Sequence, residues 1–377
     1  MSCCKSKHEY QANSLDNIIA QNGTNLKSSL NLDSVLGNQN DKKKVVNRQK
    51  RKYLSYHLAS RLINYSTDLR CRYYTNDAIV SHIPQNELKR DLNSFWNMFY
   101  CSSTMTLSNN KITGNYCKNK LCIICSSIRG NKLYHRYSKY FQQFDQNELR
   151  FVTMTLQSCK PSELKQRVKL MQKVFRQIIQ TFKKRYQRGN MDKFIGLRKI
   201  ECNFNAKELT YNPHFHCLVV GIDNSHELVL EWKKRIKKLG IEIKDYANPI
   251  QRISDKGNHY YELFKYITKI VTPVSGKPAN GKTNKSIYLS STLNIFNAFH
   301  RVRTYERFGF NLPNDERPKT NDYSIDVESL DYMQSVGHFH WRPHENDWLN
   351  DETNELLSKE QIPQYFKKLV DTIKQTV

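Results

Sequence analysis

Three groups of side chains in this sequence have the types and spacing to do chemistry. The first is Cys101, Cys117, Cys122 and Cys125, the last three arranged as Cys117-x4-Cys122-x2-Cys125. Thiolates two to four residues apart are what tetrahedral zinc requires, and Cys101 is the natural fourth corner, with Cys71 or His135 as substitutes. Flanking lysines and Arg129 favour the thiolate form. Reduced, buried thiols without a metal, or a redox dithiol, would leave the same spacing.

The second group is Asn212-Pro213-His214-Phe215-His216, followed by the apolar run Cys217-Leu218-Val219-Val220. Alternate side chains of a strand share a face, so the two imidazoles project together and Phe215 points the other way. Two such imidazoles are half of a metal site, usually completed by a carboxylate from a neighbouring strand; Glu201 is the candidate. Two packed or exposed histidines would show the same pattern. His338-Phe339-His340 repeats it beside Trp341, Arg342 and Pro343, with no apolar run after it. That pair reads as a surface loop or a minor site with His344.

The third group is Glu262, Tyr266 and Lys269. At helical spacing i,i+4 and i,i+3 they share one face, with Leu263, Phe264 and Ile267 on the other. A phenol with a carboxylate and an ammonium fits covalent phosphoryl chemistry. An amphipathic helix with an ordinary polar face would look alike.

These groups need elements to hold them. Residues 151–156 alternate as a strand. A helix from Pro161 to about Arg188 carries an apolar stripe of Leu164, Val168, Met171, Phe175, Ile178, Ile179, Phe182 and Tyr186. Strands at 194–204 and 214–221, a helix at 225–239, a strand at 241–246 and a short helix at 260–271 follow. Strand, helix, strand, strand, helix, strand is the split βαβ order of a ferredoxin-like, RRM-like α+β fold, an antiparallel sheet with helices on one face. The chain then divides into a polar arm (1–41) expected to be disordered, a basic helical region (42–95), a cysteine-rich zinc module (96–140), the α+β domain (145–272), a linker (273–285) and a mixed C-terminal region (286–377). The basic run Arg48 to Lys52 reads as a solvated face or a DNA-backbone contact.

With 60 Lys and Arg against 35 Asp and Glu, the formal net charge is +25. That excess excludes an acid-rich disordered chain and argues against a neutral metabolic enzyme. It points to a polyanionic partner. The 22 Tyr, 17 Phe and 4 Trp suffice for a core. No stretch is apolar enough to span a membrane and the polar N-terminus has no secretory leader, so a cytoplasmic product with reduced cysteines and no membrane partner is expected.

Taken in order, these pieces resemble the rolling-circle replication initiators of small bacterial plasmids, within the HUH endonuclease superfamily. The likeness runs from about residue 95 to 310, through the 151–155 strand, the histidine strand, Glu262-x2-Lys265-Tyr266-x2-Lys269, the cysteine cluster, and Arg301-x-Arg303 to Phe310. It implies that His214, His216 and Glu201 hold Mg2+ or Mn2+ against a scissile phosphate, beside the structural Zn2+ that the spacing of Cys101, Cys117, Cys122 and Cys125 suggests. Tyr266 would attack, leaving a 5′-phosphotyrosine and a 3′-OH primer. Glu262 would promote the terminating cleavage and Lys269 would neutralise the adduct. Tyr260 and Tyr261 are rival nucleophiles without the Glu and Lys at those offsets. The implied partners are plasmid origin DNA and a host helicase. Three other readings compete: a mobilisation relaxase, a single-strand transposase, and a non-catalytic zinc-containing DNA-binding regulator. A nucleotide hydrolase with a third alternating histidine is disfavoured, because Leu218 stands there.

Overall fold

A computed structural model describes residues 37–74, 82–108, 111–243, 247–253, 263, 272–273, 285–312, 325–326 and 337–375. In chain order the elements are α1 (Gly37–Tyr74), α2 (Gln85–Phe99), β1 (Thr104–Ser108), β2 (Lys111–Gly114), α3 (Ile123–Phe141), β3 (Leu149–Thr155), α4 (Pro161–Gln187), β4 (Gly196–Asn205), β5 (Thr210–Val220) and α5 (Ile222–Lys237). There follow β6 (Ile250–Arg252), β7 (Thr272–Pro273), β8 (Lys285–Tyr288), α6 (Leu289–Ala298), β9 (Tyr305–Phe308), β10 (Ile325–Asp326), β11 (Gly337–Arg342), β12 (Asp347–Asn350), α7 (Gln364–Asp371) and β13 (Ile373–Lys374).

The α+β expectation holds. The central sheet has the order β6-β3-β5-β4-β9, antiparallel throughout, which is the ferredoxin-like order with one strand added at the β4 edge. Helices α4 and α5 cover one face. The stripe Leu164, Val168, Met171, Phe175, Ile178 and Phe182 is buried against Val152, Met154, Ile200, Phe215 and Cys217. Tyr186 falls off this stripe and is exposed. Within the layer, the buried Arg198 guanidinium lies over the Phe175 and Phe215 rings at 4.7 and 4.6 Å and bonds Gln172 and Glu306. The back of the histidine strand is therefore pinned.

The opposite face is apolar at one end. There Leu149, Phe151, Leu197 and Leu218 pack under Tyr137 and Phe141 of α3, together with Leu263 and Leu312. At its other end the same face turns polar, with Thr153, Thr155, Lys199, Glu201, His214 and His216 in adjacent register.

The added strand β9 lies close because β4 starts at a glycine. A Cβ at Gly196 would run into the Leu218 carbonyl oxygen and the Phe308 ring. Gly196→Ala is expected to cost about 1–3 kcal/mol by overpacking, read as a lower denaturant midpoint. A midpoint unchanged from wild type would mean that β9 is held elsewhere.

Four expectations need correction. The fourth strand is β6 at Ile250–Arg252, whereas 241–243 form no strand. An edge strand facing solvent carries polar residues such as Gln251 and Arg252, so its apolar alternation is weak; Ile241 and Ile243 instead pack against the core from a loop. Helix α1 begins at Gly37, inside the arm expected to be disordered, and runs to Tyr74. Its basic run is not a solvated face: Arg48 and Lys52 are buried. Lys52 Nζ donates to the Phe99 and Cys101 carbonyls at 3.0 and 2.8 Å and to Ser103 Oγ at 2.9 Å. Finally, the second histidine pair sits on strand β11, not in a loop.

The C-terminal segments are dispersed. Strand β9 joins the central sheet, while β11 and β12 complete a second sheet of order β10-β2-β1-β11-β12. One core unites Leu54, Leu58 and Leu62 of α1, Phe95 of α2, the cysteine segment, Trp348, Phe366 and Ile373.

Candidate functional site

Strand register builds the first centre. Glu201 of β4 lies opposite His214 of β5, and Lys199 opposite His216. One ligand atom from each of Glu201, His214 and His216 lies within 4.8 Å of the others. Both Nε2 atoms stand 3.6 Å from Glu201 Oε2. The other ring nitrogens are engaged: His214 Nδ1 is 3.0 Å from the Asn212 carbonyl and His216 Nδ1 is 3.2 Å from Thr153 Oγ1. A carbonyl can only accept, so His214 donates from Nδ1 and turns Nε2 to the centre, the orientation a metal ligand needs. Phe151 stacks on His216 with centroids 5.2 Å apart. Burial would raise the Glu201 carboxyl, but the Lys199 ammonium and the two imidazoles hold it well below its ordinary value. Two imidazoles and a carboxylate suit several divalent ions, so the donor set fits the metal site expected.

The second centre is the cysteine group. Cys101 Sγ is 3.5 Å from Cys125 Sγ and from Cys122 Sγ, and Cys117 Sγ is 3.8 Å from Cys125 Sγ. Zinc at ~2.3 Å from each sulfur sets tetrahedral edges of ~3.8 Å, so the spacing fits a four-thiolate ion. It is far from the ~2.05 Å of a disulfide. Backbone amides of Cys117 and Asn119 donate to Cys101 and Cys117 sulfur at 3.5 and 3.4 Å. Burial would raise the Cys122 thiol, but bonds with Cys101, Cys117 and Cys125 hold it well below its ordinary value. Cys71, the substitute ligand, is exposed on α1 and outside the group.

Among the described residues these are the two groups of three or more ligand-type side chains able to hold an ion. His338 and His340 are exposed on β11; His340 Nδ1 pairs with Asp351 Oδ1 at 2.6 Å, and His338 lies 3.4 Å from Thr106 Oγ1. Glu262, Tyr266, Lys269, Tyr260 and Tyr261 lie outside the described residues, as do 1–36 and the 274–284 part of the linker.

The family model described as "Replication protein" matches residues 109–225, from the edge of β2 through Cys117, Cys122, Cys125 and β5 into the first turn of α5. "Protein rep" of Staphylococcus aureus is 32% identical over 222 residues, covering 55% of this chain and 90% of that protein. The chain belongs to the replication protein family. "Protein rep" of Streptococcus pneumoniae serotype 2 is 26% identical over 227 residues, 55% of this chain and 68% of that protein. That of a Bacillus species is 25% identical over 206 residues, 48% of this chain and 65% of that protein. No solved structure matches significantly. The resemblance to plasmid replication initiators is thus borne out at the level of the family. No helix among the described residues of this replication protein is long and apolar enough to cross a membrane.

Two residues of this replication protein escaped the sequence reading. Lys199 belongs to the first centre, and a Lys-x-Glu alternation beside His-x-His was the signal for it. Lys52 holds the chain at Cys101, and its place within an apolar helical stripe was the clue.

Proposed function

We propose that this replication protein is a site-specific DNA-nicking endonuclease and strand transferase that starts rolling-circle replication of a plasmid. The observation that carries the reading is the convergence of the His214 and His216 Nε2 atoms on Glu201 Oε2, at the polar end of a sheet face. We assign Mg2+ or Mn2+ to that centre and Zn2+ to the four cysteines. When bound, the divalent ion supplies positive charge beside the non-bridging oxygens of the scissile phosphate.

The chain's own residues do the rest. Asn212 and Thr153 orient the two imidazoles. The Tyr266 hydroxyl attacks the phosphorus, and the proton it gives up passes through water to the departing 3′ oxygen. The bond to the 3′ oxygen breaks, leaving a 3′-OH primer and a phosphotyrosine on the 5′ side. Lys269 offsets the charge of that adduct. Glu262 takes a proton from water in the terminating cleavage. Leu263, three residues before Tyr266, is buried with Phe151 and Leu218 on the face that carries the histidines, which supports this assignment. The +25 charge suits backbone contacts with origin DNA. A host helicase would unwind the duplex from the nick.

The test is mass spectrometry of the covalent adduct after incubation with origin DNA and Mn2+. The expected peptide carries a 5′-linked nucleotide on Tyr266. A nucleotide on Tyr260 or Tyr261, or on the 3′ side, removes the proposed nucleophile or its polarity. Tight DNA retention with no adduct under any metal favours a non-catalytic regulator.

A further inference from the structure

Lys199 stands inside the imidazole–carboxylate group yet has no part in the chemistry above. Its side chain is fully buried and its ammonium pairs with Glu201 Oε1. It faces His216 across the strand pair, and Nζ lies 5.8 Å from the ring centroid of Tyr305 on β9. The Glu201 carboxylate is therefore divided. Oε1 serves the ammonium, and Oε2 faces the two imidazoles at 3.6 Å. A buried ammonium needs an anionic partner, and Glu201 is that partner.

The charge balance has a consequence for cations. Two neutral imidazoles and one carboxylate would present a divalent ion with a net −1. With Lys199 in place the group is neutral, and it already contains a positive charge. An arriving divalent ion leaves +2 on a mostly buried group, repelled by the ammonium that already pairs with its carboxylate ligand. A phosphodiester brought to the same face supplies the missing negative charge.

We propose that Lys199 makes divalent-ion capture conditional on a DNA phosphate: by cancelling the charge of Glu201, it leaves the ion and the phosphodiester to neutralise each other. Ion and DNA then bind with positive cooperativity, and the coupling is reciprocal. Lys199 is a positioning residue that also sets the charge of the centre. The inference rests on reading Glu201, His214 and His216 as metal ligands.

The experiment measures Mn2+ binding to the full chain by electron paramagnetic resonance, with and without a ten-nucleotide oligodeoxythymidylate. Mn2+ held by the oligonucleotide alone is subtracted. Wild type is expected to bind Mn2+ about ten-fold more tightly, or better, when the oligonucleotide is present. Lys199→Met, close in shape to lysine, is expected to bind Mn2+ without DNA about ten-fold more tightly than wild type and to gain under about three-fold from DNA. Lys199→Arg keeps the charge and is expected to keep the coupling. If a melting curve shows that Lys199→Met does not fold, Lys199→Gln carries the same expectation.

Loss of ion affinity in a folded Lys199→Met or Lys199→Gln protein overturns the proposal, as does a wild type indifferent to DNA or coupling that survives in the uncharged variants. Failure of the underlying reading looks different. It appears as a wild type that binds no Mn2+ in either condition, or as a His216→Ala protein that binds it equally well.

Discussion

Replacing Cys122 with serine is expected to strip the chain of its zinc and to melt the cysteine module, while the central sheet persists. The argument is one of magnitudes. Folding and metal binding are one event for a four-thiolate centre, worth about 10–16 kcal/mol for small zinc modules near neutral pH. A domain's whole stability is about 5–15 kcal/mol. Cys122 is fully buried at the start of α3; its sulfur shares a hydrogen bond with Ser55 Oγ at 3.8 Å, which also accepts from the Ile123 amide at 2.9 Å, and such a contact is far weaker than a metal bond. A metal-free core of the same shape would lose only about 1–3 kcal/mol when one thiol became a hydroxyl. Metal analysis and far-ultraviolet circular dichroism separate the two cases. One zinc per wild-type chain, none in the variant, and a large fall in helicity are expected. A variant with wild-type helicity, and a wild type whose melting ignores a strong chelator, would show that the thiols are ordinary core.

The second large effect concerns His216. His216→Ala is expected to lower metal-dependent nicking about 10³-fold or more, since it removes a metal-facing nitrogen and with it several kcal/mol of charge stabilisation. Stability should change little. The imidazole is at the polar end of its face, and its apolar contact is the stack on Phe151. The adjacent residue gives the opposite result. Phe215 points into the layer beneath α4, buried against Phe175 and Trp232. Phe215→Ala is expected to cost about 3–5 kcal/mol of stability. Two neighbouring substitutions with contrasting outcomes, read by nicking of supercoiled plasmid and by denaturant melts, test whether β5 divides its work between faces. Nicking by His216→Ala within ten-fold of wild type would take the histidine pair out of the reaction.

Much of the central sheet was legible because its strands are buried and its helices amphipathic. Both leave a period in the residues, as in Phe151 to Leu156 and the stripe along α4. The gathering of Glu201, His214 and His216 was legible for a related reason. A short turn after β4 makes β5 its neighbour, and alternation then decides which side chains meet. What escaped was of two kinds. Edge strands such as β6 have one paired side and polar residues, so little pattern survives. Buried charges such as Lys52 and Lys199 look like surface residues until their partners are in place: those of Lys52 lie far off in sequence, and Glu201, two residues from Lys199, meets it only once strand alternation puts both on one face. The dispersal of β9, β11 and β12 between two sheets has no local signature at all, because each is defined by what it pairs with.

The pairing of β1 with β11 and of β8 with β13 bears on how the molecule is made. The apolar cluster around the cysteines joins Leu54 to Ile373, so a ribosome must have delivered almost the whole described chain before that cluster can close. The thiols emerge before β11, β12 and α7, which complete the cluster around them. Contacts this distant in sequence close more slowly than local ones, so this cluster is expected to form after the central sheet, whose main strands follow one another closely along the chain.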